Sequence, residues 1–364
     1  MSRRSLINIL KYVLGVGLLA WVVWVNWEPQ DGSPGLASAL SKDVNVLPLL
    51  LAGSICLASI LLTFVRWYVL VRAQDLPFTL SGAVRLGFIG YYMNTFLPFS
   101  GGDVIKAACL ARQQSRRTVA VATVLLDRAI GLCGLVWLVA TLGGVFWASG
   151  LLEQLVVAPT AVIALQTVTL GALALAGASL VFWVLLGVLS ISAAGRFAAR
   201  LERFPKVGPA FAELWRAVWM YRCRGRSIAL ALSMAVMGHV GFVLTFYLAS
   251  LTLTAPDRIP PLGTHFLLVP VGMVIQSGFP TPGGVGGGEW GFGKLYVIAG
   301  CAAAGGVLAS LVQRAITWIL GLAGYLVYLR MRPRLRPATV ELASPVEVAT
   351  PECAMQPLRS GVAD

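Results

Sequence analysis

The stretch QSGFPTPGGV (Gln276–Val285) lies late in the chain and matches an earlier stretch, NTFLPFSGGD (Asn94–Asp103). Each has an amide residue, two residues, a large apolar residue, proline, two further residues and then Gly-Gly. Arg128 and Arg314 follow inside apolar runs, each 25 residues after a carboxylate that lies close to its double glycine. Paired motifs broken by glycine and proline, one in each half of a membrane protein, indicate a transport site.

The composition is that of a membrane protein. Of the 364 residues, 58% are hydrophobic and 12% are charged, whereas soluble domains have about 25% charged residues. The mean hydropathy is +0.81, and apolar runs of roughly 20 residues, each long enough to cross a bilayer as a helix, recur along the chain. The net charge of +13 is concentrated at the ends of these runs. This positive-inside pattern predicts membrane topology rather than nucleic-acid binding.

Six apolar runs are predicted to cross the membrane, with both termini in the cytoplasm. They are residues 6–27, 46–70, 118–144, a stretch within 161–190, 227–253 and 303–329. Two shorter runs, 80–97 and 262–279, end at the paired motifs and are predicted to be re-entrant. The charges of the loops predict that the first hairpin enters from the cytoplasm and the second from outside. We therefore predict an all-α polytopic membrane protein with two oppositely oriented re-entrant hairpins, an inverted repeat.

Two segments differ in composition from the rest of the transmembrane domain, residues 1–336. Residues 191–226 interleave basic and aromatic side chains, which fits a basic amphipathic helix on the cytoplasmic surface of the membrane. Residues 337–364 are polar and contain proline, and are predicted to be a disordered cytoplasmic tail. Span boundaries within 149–165 and 262–300 stay open.

The paired motifs and their ionisable neighbours form the predicted substrate path. Proline stops a helix, glycine lets backbones approach closely, and the helix starts that follow offer N–H groups to phosphate or carboxylate. Ionisable groups at membrane depth are costly and indicate function, and arginine binds phosphate with a bidentate fork. The predicted path residues are Asn94, Pro98, Gly101, Gly102, Asp103, Lys106, Arg128, Gln276, Pro280, Pro282, Gly283, Gly284, Gly286, Glu289 and Arg314.

Each carboxylate near the motifs is expected to face an arginine. The simplest arrangement pairs Asp103 with Arg128 and Glu289 with Arg314, and the swapped pairing stays open. Asp127 is a third carboxylate at membrane depth, and ion pairs that only hold the fold together are the alternative interpretation. Further positive charge at the mouths of the hairpins is expected from Lys106, Arg112 and Lys294.

No cofactor and no metal are predicted. The six cysteines are scattered without a CxxC pair, and the His, Cys, Asp and Glu residues lack metal-ligand spacing. The glycine clusters also lack the GxxxxGK[ST] pattern of a nucleotide site. Transport would then be downhill or coupled to an ion.

The pattern N-x3-P-x2-GGD-x2-K with a downstream DR, followed by P-x-PGG-x-G-x2-E, resembles the lysylphosphatidylglycerol synthase transmembrane region, or flippase-like domain family. The matching residues are Asn94, Pro98, Gly101, Gly102, Asp103, Lys106, Arg128, Pro282, Gly283, Gly284, Gly286 and Glu289. The resemblance covers about residues 5–335. It implies a bacterial or archaeal multi-pass protein of the cytoplasmic membrane that moves a polar or aminoacylated lipid between leaflets. Gly288 departs from the family's GGFE-like ending, where phenylalanine is usual.

The leading functional hypothesis is a lipid flippase or scramblase whose partners are anionic or aminoacylated membrane lipids. Relatives with synthase activity carry a fused soluble transferase domain, and the 28 residues after Arg336 leave no room for one, so we expect no enzyme activity. Two alternatives stay open. One is an intramembrane lipid-modifying transferase with Asp103 or Glu289 as base. The other is a non-catalytic partner of a lipid-synthesis enzyme that docks through residues 196–226. A homodimer is compatible with either.

Overall fold

The structure is a computed structural model that describes residues 3–28, 35–41, 43–96, 101–114, 116–155, 159–204, 208–254 and 258–331. These residues form helices and turns, and no β-strand. Among them, five helical stretches are long and apolar enough to cross a membrane: Val46–Arg72, Arg117–Ala148, Val162–Val188, Leu214–Ser250 and Ala303–Arg330. The prediction of an all-α polytopic membrane protein is confirmed.

The helices follow the apolar runs of the sequence. In chain order they are α1 (Arg3–Val25), α2 (Leu36–Leu40), α3 (Val46–Arg72), α4 (Leu80–Phe96), α5 (Gly101–Gln113), α6 (Arg117–Ala148), α7 (Leu151–Leu155), α8 (Pro159–Val188), α9 (Ile191–Glu202), α10 (Gly208–Met220), α11 (Gly225–Ser250), α12 (Leu262–Gly278), α13 (Gly287–Ile298) and α14 (Ala303–Met331). The six predicted crossings correspond to α1, α3, α6, α8, α11 and α14. The apolar part of α1, Ile9–Val25, is shorter than the other five spans.

A repeat of four helices is visible in the helix lengths. Helices α3 to α6 have 27, 17, 13 and 32 residues, and α11 to α14 have 26, 17, 12 and 29. In each repeat the second and third helices are separated by a paired motif and pack against each other. The helix–break–helix units are therefore present. The side of the membrane from which each enters stays a prediction.

The two repeats pack through their first helices, because the contact between α3 and α11 is the most extensive one between helices. A Cβ on Gly241 would lie only 2.0 Å from the hydroxyl oxygen of Ser59. Small residues at this crossing let the two backbones come close, which is how helices gain packing contacts in a bilayer.

The two helix breaks meet near the middle of the molecule. A Cβ on Gly283 would lie 2.9 Å from the carbonyl oxygen of Thr95, at the end of α4. Helix α1 crosses both breaks. Its Tyr12 hydroxyl donates to the carbonyl of Phe96 at 2.6 Å, and its Gly15 lies against Thr281. Segments that are almost 190 residues apart in the chain thus form one central region.

The basic segment 191–226 is two helices joined to a 3-10 turn rather than the single amphipathic helix that the sequence predicts. Residues 205–207 between the helices include Pro205, which cannot continue a helix, and lie outside the described residues. Helix α10 is also part of the core. Ala217 and Tyr221 are buried, and the Tyr221 hydroxyl donates to the carbonyl of Leu70 at 2.8 Å. The predicted tail, residues 337–364, lies outside the described residues.

Candidate functional site

The first break is held by the amide residue of its own motif. The side-chain oxygen of Asn94 accepts a hydrogen bond from the backbone N–H of Gly102 at 2.9 Å. A Cβ on Gly102 would lie 2.0 Å from the carbonyl oxygen of Gly90, so only glycine lets α5 turn back this closely along α4. Pro98 lies outside the described residues.

The second break is also held by its amide residue, but here the side chain is the hydrogen-bond donor. The side chain of Gln276 donates to the carbonyl of Gly283 at 3.1 Å. Pro280 and Pro282 follow the end of α12, and the chain then turns through three glycines with positive φ before α13 begins. A Cβ on Gly284 would lie 2.2 Å from the Gln276 carbonyl oxygen. Each of the two amide side chains therefore forms a hydrogen bond with the double glycine of its own motif.

At the helix starts after the two breaks, some backbone N–H groups already donate hydrogen bonds to side chains of the protein. At α13 the carboxylate of Glu289 accepts from the backbone N–H of Gly286 at 2.7 Å, and at α5 Asn94 accepts from Gly102. A helix start has four N–H groups without helical partners. The expectation that these starts present bare N–H groups to a ligand is therefore wrong for these two groups.

Arg314 and Glu289 form a buried ion pair in the second repeat. The Arg314 Nε donates to Glu289, and the two side chains are 6% and 0% exposed. The remaining fork of Arg314 donates to the carbonyls of Gly283 at 3.0 Å and Gly284 at 3.3 Å. The Ser310 hydroxyl is 3.4 Å from the same carboxylate. This arginine fastens α14 to the second break and is fully engaged.

Arg128 and Asp103 form the corresponding pair in the first repeat, and the structure thus has the simpler of the two predicted pairings. Their closest atoms are 2.5 Å apart, but the Arg128 side chain is 56% exposed and Asp103 is 14% exposed. Helix α6 has exposed apolar residues along the same face as Arg128, namely Val121, Leu125 and Leu132. The exposed part of the Arg128–Asp103 pair therefore lies within an apolar outer surface of the protein.

Residues 8–324 match the family described as Lysylphosphatidylglycerol synthase TM region. The chain belongs to this family. The match spans most of the chain and confirms the resemblance inferred from the paired motifs. With the apolar helices, it identifies a multi-pass integral membrane protein related to lipid metabolism. No curated protein and no solved structure matches the chain.

This lysylphosphatidylglycerol synthase TM region also contains a buried charge cluster that joins three helices. The Nε of Arg66 on α3 donates to Asp127 on α6 at 2.9 Å. Lys106 on α5 approaches the same carboxylate at 3.6 Å, and its ammonium group lies 3.9 Å from the centre of the Trp67 ring. All three charged side chains are buried.

This buried charge cluster corrects two sequence-based expectations. Lys106 does not lie at the mouth of a hairpin. It is buried on α5, and its ammonium group lies over the Trp67 ring. Arg66 is absent from the predicted path because it lies near the end of a span, where arginine usually marks topology. Asp127 is a carboxylate at membrane depth, and this position indicates in the sequence that it requires a cationic partner. The partner's identity depended on how α3 packs.

The buried cluster and the open pair lie side by side on α5 and α6 and carry a net positive charge. With all groups charged, Arg66, Lys106 and Arg128 supply three cations, and Asp103 and Asp127 supply two carboxylates. The corresponding group at the second break is the single pair of Arg314 with Glu289. The two groups therefore match in position, but the first contains one more cation than carboxylates and the second is balanced.

Aromatic side chains cover the gap between α4 and α14 beside the breaks. Tyr92 lies 5.1 Å from Phe96 and 5.2 Å from Tyr325, and Phe96 lies 6.2 Å from Trp318, between ring centres. Trp318 and Tyr325 are more than a third exposed. Phe292 and Tyr296, in contrast, are buried against Phe246.

Proposed function

We propose that this protein moves a phospholipid between the leaflets of the cytoplasmic membrane, and that Arg128 takes the headgroup phosphate. The observation that carries the proposal is a half-exposed arginine in an apolar, outward-facing surface. Arg128 lies 11 residues into α6, roughly 16 Å along the helix at 1.5 Å per residue. That is about half of a hydrocarbon core of about 30 Å. An open charge at this depth is costly unless it has a function.

The surrounding charges support an anionic ligand. Asp103 forms an ion pair with Arg128 and lies on the same face of α5 as Lys106. A phosphate that displaces Asp103 from Arg128 would find a site that still carries net positive charge. Arginine binds phosphate with two parallel hydrogen bonds. Phosphate is common to anionic and aminoacylated phospholipids, so the proposal covers both.

Arg314 has a different role in this proposal. Its fork is engaged by Glu289 and by the carbonyls of Gly283 and Gly284, so it supports the second break instead of binding the headgroup. The acyl chains would remain in the bilayer beside α6 and the aromatic side chains of α4 and α14. On this proposal the protein transports lipid and does not modify it.

Leaflet exchange in proteoliposomes tests this function. Fluorescent anionic and aminoacylated phospholipids would be followed with wild type and with Arg128→Gln. A hydrogen bond to a charged group contributes about 1.5–3 kcal/mol, so we expect at least about a tenfold slower exchange in the variant. Arg224→Gln is the matched control, because Arg224 also forms an exposed ion pair, 2.6 Å from Asp75, far from the breaks.

Three results would overturn the proposal. Equal exchange rates in Arg128→Gln and wild type would remove Arg128 from the path. Folded wild-type protein that moves none of the lipids would favour the partner hypothesis. A chemically altered lipid in the assay would favour the transferase hypothesis.

A further inference from the structure

Helices α8, α9 and α10 enclose a groove that is separate from the substrate path. Its volume is about 450 Å³, within the range of small-molecule sites. One wall is apolar and consists of Leu185, Leu186 and Leu189 at the end of α8. The outer face of α8 continues this wall, since Val184 and Val188 are exposed. The groove therefore opens onto a surface that faces lipid chains.

The other end of the groove is cationic. Arg196 and Arg200 lie one turn apart on α9, on the face that also carries Phe197, and both arginines are exposed. Among the described residues neither has a carboxylate partner. Glu202, at the end of the same helix, is instead paired with Arg216 at 2.5 Å. Two guanidinium groups are thus free at the mouth of an apolar groove.

The groove is fixed in shape by contacts at its back. The Trp215 ring nitrogen donates to the carbonyl of Ala194 at 3.2 Å, and its ring packs edge-on against Phe197, 4.7 Å between centres. Ser190 accepts from the N–H of Ala193 and caps α9. Arg222 donates to the carbonyl of Leu189 at 3.3 Å. These contacts hold the bend between α8 and α9, so the site exists before a ligand binds.

We infer that this groove binds an anionic phospholipid of the adjacent leaflet as a resident or regulatory lipid. Along the groove the apolar wall is followed by the two arginines. This order matches the acyl chain and the headgroup of a phospholipid. Arg196 and Arg200 can both reach one phosphate, and the planar guanidinium group of arginine binds phosphate through two hydrogen bonds. Basic clusters next to a membrane helix are typical sites for anionic lipids. The continuity with the exposed face of α8 favours a lipid over a soluble peptide.

Native mass spectrometry of the full-length protein tests this site. The protein would be purified from nanodiscs that contain equal amounts of phosphatidylglycerol and phosphatidylcholine, and the bound lipids counted. The test variant is R196Q/R200Q, and the charge-matched control is R203Q/R226Q, two exposed arginines of the same segment that do not line the groove. A third variant, Ala193→Phe, fills the groove and keeps every charge.

We expect wild type to retain phosphatidylglycerol selectively. R196Q/R200Q should reduce the ratio of anionic to zwitterionic lipid by about tenfold or more, as two phosphate-facing cations imply. Ala193→Phe should lower retention as well, whereas R203Q/R226Q should leave the ratio nearly unchanged. Equal losses in the two double variants would overturn the inference in favour of diffuse surface charge. Retention of a second copy of the chain instead of lipid would overturn it too. The Arg128 exchange assay is independent of either result.

Discussion

Arg128 and Arg314 occupy matching places in the two repeats, yet their surroundings give them different roles. Arg314 is buried with Glu289 and two backbone carbonyls, whereas Arg128 is half exposed beside Asp103. A buried pair that loses one member leaves an uncompensated charge, which is strongly destabilising. The Arg128 side chain, in contrast, keeps more than half of its surface exposed. The same residue type is therefore buried in a structural pair in one repeat, and in the other it is the exposed group to which we assign the headgroup in our proposal.

Glu289→Gln should destabilise the protein by about 3–5 kcal/mol, because it leaves the Arg314 charge buried without a counter-charge. The free energy of unfolding in detergent, measured by chemical denaturation of the full-length protein, checks this value. Asp75→Asn is the control, because it removes one member of the exposed Arg224–Asp75 pair and should cost about 1 kcal/mol or less.

The double variant Glu289→Gln/Arg314→Gln should recover part of the lost stability, since no buried charge remains unpaired. Equal, small losses for Glu289→Gln and Asp75→Asn would contradict the assignment of Arg314 to a structural role.

At the scale of elements, the helix breaks depend on glycines that touch backbone. In the first break, Gly102 lies under the carbonyl of Gly90 and donates to Asn94. The second break repeats this arrangement with Gly284 against Gln276. The break is therefore a packed joint between two antiparallel helices rather than a loose loop. Any side chain at the contact must separate the helices.

Gly102→Ala should push α5 away from α4, because its Cβ would lie 2.0 Å from the Gly90 carbonyl oxygen. We expect loss of folded, monodisperse protein in size-exclusion chromatography and loss of lipid exchange. Gly171→Ala on α8 is the control, since nothing lies within 4 Å of that Cβ and alanine is favoured over glycine in a helix by up to about 1 kcal/mol. Normal folding of both variants would show that the joint is not tightly packed.

At the scale of the whole molecule, the four-helix repeats bring both breaks to one central region crossed by α1. The first break touches the second through Thr95 and Gly283, and Tyr12 bonds to the end of α4. If the predicted inversion of the two repeats holds, a transport site is expected between them, near the middle of the bilayer. The side of the membrane from which each hairpin enters therefore tests whether the repeats are inverted.

Opposite entry of the hairpins predicts opposite labelling of their first helices. In a variant with all six native cysteines replaced, Ser81→Cys at the start of α4 should react with a membrane-impermeant maleimide only from the cytoplasmic side. Arg258→Cys, just before α12, should react only from the outside. Both native residues are exposed. Right-side-out and inside-out vesicles separate the two faces.

Labelling of both positions from the same face would contradict the inverted repeat and with it the predicted topology. A native Cys223 restored in the same background provides the internal reference, because it lies in the exposed basic turn that the charge pattern places in the cytoplasm.

The sequence by itself determined the membrane class, the main helices and the paired breaks, and it indicated Asp103–Arg128 and Glu289–Arg314 as the simpler of two possible pairings. These features follow from apolar run length, from glycine and proline, and from partners that lie on neighbouring helices of one repeat. The tertiary structure alone decided that Arg66 joins Asp127, that Lys106 is buried over Trp67 and that Arg128 stays open. Burial and pairing of a charge depend on which distant helices pack around it, and a local pattern of residues does not contain that information.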